Sequence, residues 1–550
     1  MSAALSRSQS MRHVQVRMSN FKAGALLGSG LVLAAGAYKV NSDEGLQRAV
    51  KFYRVVTVPF LKYRFYDWYT KDWVPARRSE WFKAMHREYS PLVVQTVMEM
   101  KGFYIKLGQM MGGFDGLLPD EYVSALKVFQ NDCPTRPVKQ VMRTIEQELG
   151  RPFSEVFMSI DSKPLGSASI GQVHKAKLLN GQEVCVKVQH PDAERFFTVD
   201  VGTTKAFVQV ALPEHLPAFS EIEKLFPTEF NYVGEAQNLR DMRAALESHP
   251  EFRRGIVIPE PLLCTKKVLV MSFIKGETLQ SKQHRYLTSL AEAEGKSVEQ
   301  IEHEFKQKLA EGGKPLSPPS ETVLMAYRAV LRARDLVRNG FCLGFNFGFG
   351  HLAGCPIAYE WSELPMKATD ALDSLYSFFG YTLFHDGIFS SDSHGGNVMH
   401  LENEKLGLID MGQVKRLDHD VRTKFAKLVV ALAHDHNTKE DTKKIAALWR
   451  DCGYATKYSN DDIAADVARF NFDRFTDDIV EKYGGLHVMM ETISKADPLV
   501  STPDEYIMIM RLSAMLRMNA LGLGQGGEGT KHSRVCHIWE KYALDYLNSV

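Results

Sequence analysis

Asp392 and Asn397 stand five residues apart in LFHDGIFSSDSHGGNVMH (383–400), and Asp410 follows 18 residues after Asp392 in LIDMGQV. Two carboxylates and an amide are hard oxygen donors, the set that suits magnesium. A fourth residue, Lys187, sits inside EVCVKVQ, an alternating apolar run that reads as a strand. A lysine there is costly to bury without a partner. Glu229 and Glu235, on the helical stretch that follows, could each supply one. A strand lysine, a helix glutamate, a D-x4-N pair and a strand ending in D-x-G would together clamp a nucleoside triphosphate. Singly, each signal is weak. Lys187 alone reads as an edge-strand lysine facing solvent, and D-x-G triplets occur in many proteins. His385-Asp386 is compatible with a metal-dependent phosphohydrolase, but no upstream histidine or downstream aspartate stands out to complete it. His394 reads as a loop residue near the phosphates.

The elements that must position these residues change character along the chain. From 81 to 150 apolar residues recur at helical spacing, with Pro119-Asp120 starting one helix, CPTRP breaking it and Gly150 ending the next. From 164 the period becomes two, and Asn180-Gly181 marks a tight hairpin. A helical stretch and two further strands, GIVIPEPLLC and KKVLVMSFIKG, follow. Hairpin, helix and two strands is the order of a protein-kinase N-lobe. Residues 277–370 are polar and helical, then rich in glycine and aromatics in NGFCLGFNFGFGHLAGCPIAYEW, which reads as a long loop or insertion. Beyond LIDMGQV the chain is helical to its end.

At 550 residues the chain requires more than one core. The net charge of +1 gives no ground for nucleic-acid binding. Seven scattered cysteines without a C-x-x-C exclude a disulfide framework and a zinc ribbon. Residues 1–22 are basic, Ser-rich and acid-free, the composition of an organellar targeting segment. Residues 23–38 carry no charge, and 23–39 are expected to form a single transmembrane helix, an anchor being favoured over a cleaved signal or a buried helix. The positive-inside rule then leaves the soluble part facing the intermembrane space if the organelle is a mitochondrion. The aromatic and basic segment 40–80 reads as a juxtamembrane linker.

With these residues in view, the chain resembles the UbiB/ADCK (aarF-domain) family of atypical kinases. The resemblance rests on YIKLGQ for the KxGQ signature, with LLPDEYVSALKVFQNDCP after it, and on PLGSASIGQVHKA for an alanine-rich loop. EVCVKVQHP supplies the strand lysine, EFNYVGEAQN the ExD segment and helix glutamate, and DGIFSSDSHGGN and LIDMGQV the catalytic and metal segments. It covers roughly residues 85–275 and 370–450. It implies an α+β, bilobal protein-kinase-like fold: a helical KxGQ extension (81–150), an N-lobe (151–276), a helical segment with an insertion (277–370) and a helical C-lobe (371–550).

The resemblance also implies roles. Lys187 and Glu235 orient the nucleotide, and Gly166, Ser167, Ala168, Ser169 and Met271 line it. Asp392 is the catalytic aspartate, with Asn397 and Asp410 as magnesium ligands. Lys106, Gly108 and Gln109 lie on an extension folded over the active site, paired with Glu229. ATP or ADP and Mg2+ are the expected cofactors. The expected function is a kinase-like ATPase of the mitochondrial inner membrane that supports coenzyme Q biosynthesis or distribution, or related lipid homeostasis. The alternative is a pseudokinase scaffold. A membrane lipid or isoprenoid quinone, and lipid-biosynthesis enzymes, are the expected partners. Only about ten residues separate Asp410 from the next helix, and no A-P-E motif follows, so a peptide-docking platform is missing and protein phosphorylation is disfavoured.

The chain departs from the family pattern in places. Asn231 replaces the acid of ExD. Gly166 and Ser167 stand where alanines are usual, which should ease closure of that loop. Ser393 and Gly395 replace prolines, which should loosen the catalytic loop.

Overall fold

The computed structural model describes residues 43–550 except 113–118, 132, most of 214–228, 299, 302–303, 305–320, 352–354, 363, 475–481, 484–485 and 527–528. The expected targeting segment and transmembrane helix lie outside the described residues. Among the described residues no helix is long and apolar enough to cross a membrane. The chain forms two compact units, residues to 233 with 262–272, and residues 234–261 with 273–550.

The first unit begins with α1 (Glu44–Asp72), whose N-terminus is capped by Asp43 accepting from Gly45 N at 2.9 Å. This segment is more than a linker. Phe52 is buried and stacks on Tyr104, and Arg48 donates to the buried Asp200 of α5 (Ala193–Ala211). Helix α1 thus shares a core with α2 (Arg78–Met100) and α3 (Phe103–Met111), built on Val97, Phe103, Phe129 and Phe197. Its outward ridge of Val58, Leu61, Phe65 and Trp68 is exposed.

Helix α4 (Val138–Leu149) ends at Gly150 in the left-handed conformation, φ 66°. It packs Val141 and Ile145 on a six-stranded antiparallel sheet of order β1-β3-β4-β7-β6, with β2 beside β3. The strands are β1 (Phe157–Ile160), β2 (Gly166–Ser167), β3 (Gly171–Leu178), β4 (Glu183–Gln189), β6 (Pro261–Cys264) and β7 (Val268–Ser272). Gly181, at φ 83°, closes the β3–β4 hairpin. Val184, Val186 and Val188 alternate into the core, so Cys185 and Lys187 take the other face.

The second unit claims two elements expected in the N-lobe. Helix α6 (Tyr232–Ser248) starts at the boundary, and β5 (Ile256–Val257) pairs in parallel with β11 (Leu406–Leu408). GIVIPEPLLC is therefore two strands in different sheets, split at Pro259 and Pro261, where the missing N–H groups interrupt a ladder. The second unit's main sheet runs β5-β11-β10-β8, with β8 (Gly276–Thr278) and β10 (Val398–Leu401), and β9 (Ile388–Ser390) pairs separately with β12 (Val414–Arg416). Helices α7 (Leu279–Glu294), α8 (Glu321–Phe345), α9 (Ala368–Tyr381), α10 (His419–Ala433), α11 (Lys439–Asp451), α12 (Asp461–Phe472), α13 (Asp504–Gly522) and α14 (Val535–Ser549) make up most of the rest, with a short helix at Leu486–Ala496 and a two-stranded pair of Ala455–Thr456 with Leu499–Ser501. Fully buried Phe384, Phe425, Trp449, Phe472 and Trp539 form its aromatic core.

The glycine- and aromatic-rich stretch is not a long loop in its first half. Helix α8 carries on to Phe345, and a π-helical turn continues it to Gly350.

Candidate functional site

In the first unit, Lys187 lies opposite Val173 and Leu269, and its Nζ sits 5.2 Å from the centre of the Tyr232 ring. Met271 faces Cys185 across β4 and β7, so it shares the Lys187 face of the sheet. The GSAS loop is tightly held. Gly166 and Ser167 pair with Val173 and Gln172, Ala168 N donates to Gly171 O at 2.8 Å, and Ser169 is buried. Gly166 sits in this ladder without a positive φ, so the backbone freedom expected of it is not used. The loop is also bound to the helical extension. Gln172 accepts from Arg136 N at 2.7 Å and donates to Arg136 O at 3.1 Å, and Ser167 donates to Pro134 O. Nearby, burial first, then Arg136 and Lys101, push His190 down to about 4, leaving it neutral at pH 7.

The same unit brings together the residues of the KxGQ segment. Lys106 and Glu229 form an ion pair at 2.6 Å, both largely shielded. Gln109 donates to Phe129 O at 2.9 Å and to Cys133 Sγ at 3.4 Å. A Cβ at Gly108 would sit 3.0 Å from the Phe129 ring, so the glycine is where α3 and the following helical segment approach most closely.

In the second unit the hairpin of β10 and β11 sets the chemistry. Val398 pairs with Leu408, and Ile409 N donates to Asn397 O at 3.1 Å, so Asn397 and Asp410 are neighbours at the open end of the hairpin. Asn397 Nδ2 donates to Asp392 O at 2.9 Å, and Asp410 Oδ1 accepts from Gly412 N at 2.8 Å. Both bonds orient side-chain oxygens of the hard type that fits magnesium. Glu235 is buried in the first turn of α6, and three residues on, Asn238 donates to Met411 O at 2.9 Å, tying that helix to the Asp-Met-Gly turn.

Ser393 and Gly395 do not leave the catalytic loop slack. Asn519 donates to Ser393 O at 2.8 Å, Gln280 N to Gly395 O at 3.0 Å, and Ser391 N to Gln413 O at 3.0 Å. Hydrogen bonds from α7 and α13 replace the proline rings. His394 acts within the loop, its Nδ1 accepting from Gly396 N at 3.0 Å. His385 stacks on Tyr381 at 4.4 Å, and Asp386 faces His249 at 3.7 Å. Burial pushes the Asp386 carboxyl up, against the pull of His249. The residue that sequence reasoning missed is Arg511 on α13. Its Nη2 bonds Asp392 Oδ1 at 2.7 Å and its Nη1 bonds Gln413 Oε1 at 2.5 Å. An arginine 119 positions away in a uniform helical stretch carries no local signal.

The sequence profile of the ABC1 atypical kinase-like domain matches residues 128–309 and 351–447, half of the chain. The chain belongs to this family. The ABC1 match contains Lys187, Glu229, Glu235, Asp392, Asn397 and Asp410, and it is interrupted across 310–350. The mouse AarF domain-containing protein kinase 1 is 30% identical over 283 residues, 50% of this chain and 53% of that protein. The ABC1 family protein MCP2 of Saccharomyces cerevisiae is 27% identical over 208 residues, 36% of each. The chain spans about half the length of the curated relatives it matches first. Among solved structures, that of Rv3197 with erythromycin, from Mycobacterium tuberculosis, is 19% identical with a TM-score of 0.44, covering 87% of this chain and 98% of that one.

Proposed function

We propose that this ABC1-family chain is an ATP-using, kinase-like enzyme whose acceptor is water or a small or lipidic molecule rather than a protein. The observation that carries the reading is the bond of Ile409 N to Asn397 O at the open end of a hairpin, which puts Asp410 one residue beyond Asn397's partner, with Asp392 on the loop that enters it. In this reading Asn397 and Asp410 hold magnesium, which when bound neutralises phosphate charge. Lys187 takes the phosphates and Glu235 orients it. Met271 and the Gly166–Ser169 loop line the nucleotide. Asp392 holds the acceptor hydroxyl or water. The Lys106–Glu229 pair fixes the extension that carries Gln109. The short path from Asp410 through β12 to α10, which starts at His419 behind an Asp418 cap, supports a non-protein acceptor, because it leaves no segment for docking a peptide.

We place the protein at the mitochondrial inner membrane, its soluble part in the intermembrane space, acting on or beside an isoprenoid quinone or another membrane lipid and its biosynthetic enzymes. Support comes from the basic, acid-free residues 1–22, the uncharged residues 23–38 and the family resemblance. Single-turnover ATP hydrolysis by wild type and Asp410→Asn, with and without liposomes carrying quinone head-group analogues, tests the reading. Equal turnover by the two chains removes it. Arg511 favours a second reading, a nucleotide-gated scaffold. A guanidinium already bonded to Asp392 Oδ1 occupies an oxygen that a substrate hydroxyl or water would need. Nucleotide binding without any hydrolysis would select the scaffold.

A further inference from the structure

Helix α8 and the chain that returns beside it have an inverted polarity. Along the buried side of the helix stand Asp335, Asn339 and, in the π-helical turn, Asn346. Each clasps the returning strand. Asn346 exchanges two bonds with the Ile357 backbone, at 2.8 and 2.7 Å, and Asn339 two with the Glu360 backbone, at 2.9 and 3.1 Å. Asp335 accepts from Ser362 N and Oγ, both at 2.7 Å. The register is self-consistent. Eleven helical residues between Asp335 and Asn346 rise about 16 Å, and the five residues from Ile357 to Ser362 cover about that distance when close to extended.

The outer surface is apolar. Leu336, Val337, Phe341, Leu343 and Phe347 are 58–89% exposed, and on the strand Ile357, Tyr359 and Trp361 are about half exposed. An ordinary surface helix buries its apolar stripe and wets its polar one. Here polar side chains bond the backbone of Ile357, Glu360 and Ser362 from within and the hydrocarbon faces outward, an arrangement that suits protein inserted in a bilayer. Charge is distributed to match. No Asp, Glu, Lys or Arg occurs from Asn339 to Tyr359, and Arg328, Arg332, Arg334 and Arg338 lie immediately below that tip. Arg332 stacks on Trp361 at 5.4 Å, placing cation and indole at one level, as at a membrane interface. The uncharged helical part, residues 339–350, is about 18 Å long, enough for one leaflet of a ~30 Å hydrocarbon core and too short to cross it.

We infer that residues 328–351 and 355–362 form a membrane-inserting finger whose uncharged part enters one leaflet of a bilayer bearing anionic phospholipid, with the arginines at the phosphates. The helical part lies in the interruption of the ABC1 match, and the returning segment lies within the match. The finger is independent of whatever residues 23–39 do.

Cys355, the exposed cysteine among the described residues, sits on the returning strand and gives a native reporter. The full chain, labelled there with a polarity-sensitive nitrobenzoxadiazole, is mixed with vesicles of phosphatidylcholine and phosphatidylglycerol. The expected result is a blue shift and intensity gain on vesicles, quenched by acyl-chain nitroxide lipids and diminished on phosphatidylcholine alone. Burying two phenyl rings is worth enough to change partitioning about a hundredfold or more. Phe341→Asp with Phe347→Asp should therefore return the emission to its value in buffer, with the thermal unfolding midpoint unchanged. A wild-type chain that floats with vesicles while its label stays water-like overturns the inference. So does a blue shift that needs no vesicles and rises with protein concentration, which would make a second copy the occupant.

Discussion

Arg511 on α13 holds the carboxylate of Asp392 at 2.7 Å and Gln413 with its second nitrogen. The pair bridges the loop that would bear the chemistry and a helix far along the chain. It is partly exposed, with side-chain exposures of 33% and 14%, so its worth to stability is about 1 kcal/mol or less. Its effect on reactivity is larger, because the guanidinium occupies Asp392 Oδ1, an oxygen that would otherwise be open to the acceptor hydroxyl or water. Arg511→Met, which keeps most of the aliphatic stem, should raise single-turnover ATP hydrolysis by about tenfold, or ~1.4 kcal/mol in the barrier, while shifting unfolding little. A fall in rate would show instead that Arg511 holds Asp392 in its working position.

Asp410→Asn separates charge from architecture. An asparagine still presents an oxygen to Gly412 N, so the turn after β11 survives. What is lost is a negative charge that, in the proposed reading, would face magnesium. Turnover should drop by about a hundredfold or more, as when one strong electrostatic contact is removed from a phosphoryl-transfer site. The urea unfolding midpoint should stay within the range of an ordinary surface substitution. A collapse of the fold would assign Asp410 to structure.

What could be read from the sequence follows the range of the contacts. Asp392, Asn397 and Asp410 were legible because a loop and one tight hairpin bring them together within 18 residues. The Lys106–Glu229 pair was implied only by the resemblance, since no local pattern links positions so distant in the chain. Arg511, Asn519 and Gln280 were invisible for that reason. The stiffness they give the loop was therefore read as slackness from Ser393 and Gly395. The finger was missed on physical grounds of another kind. Glycine is a helix breaker in water, so NGFCLGFNFGFG read as a loop. Arg328, Asp335, Asn339 and Asn346, at intervals of seven, four and seven, were the signal available for a helical face.

The Lys106–Glu229 pair can be tested without any assay of activity. Reversing one charge, in Lys106→Glu or Glu229→Lys, places like charges together in a shielded site. Reversing both restores attraction. A double-mutant cycle on urea unfolding should give a coupling of about 1 kcal/mol between them. Gly108→Ala in the same segment should cost about 1–3 kcal/mol, because the new methyl meets the Phe129 ring. Additive single effects would detach Lys106 from Glu229 in solution.

Acid should weaken the second unit through one buried cluster. Asp435 accepts from Arg469 Nε at 2.8 Å and Nη2 at 2.9 Å, and from Arg474 Nη2 at 2.9 Å, with all three side chains buried. Burial alone would raise the carboxyl, but the two arginines outweigh it and bring Asp435 down to about 2. Its folded pKa lies below its unfolded value near 3.9, so the stabilisation is fully present above pH ~4 and is lost as pH falls toward 2. The depression corresponds to about 2 kcal/mol. Asp435→Asn removes the carboxylate that two buried guanidinium groups share, though Arg469 keeps Asp466 and Arg474 keeps Asp473, and should cost about 1–3 kcal/mol at pH 7. The measurement is urea unfolding of both chains from pH 7 to pH 2. The gap between wild type and variant should be constant to about pH 4 and narrow below it. A gap that stays constant down to pH 2 would mean that Asp435 titrates at its ordinary value and that the two arginines do not hold it down.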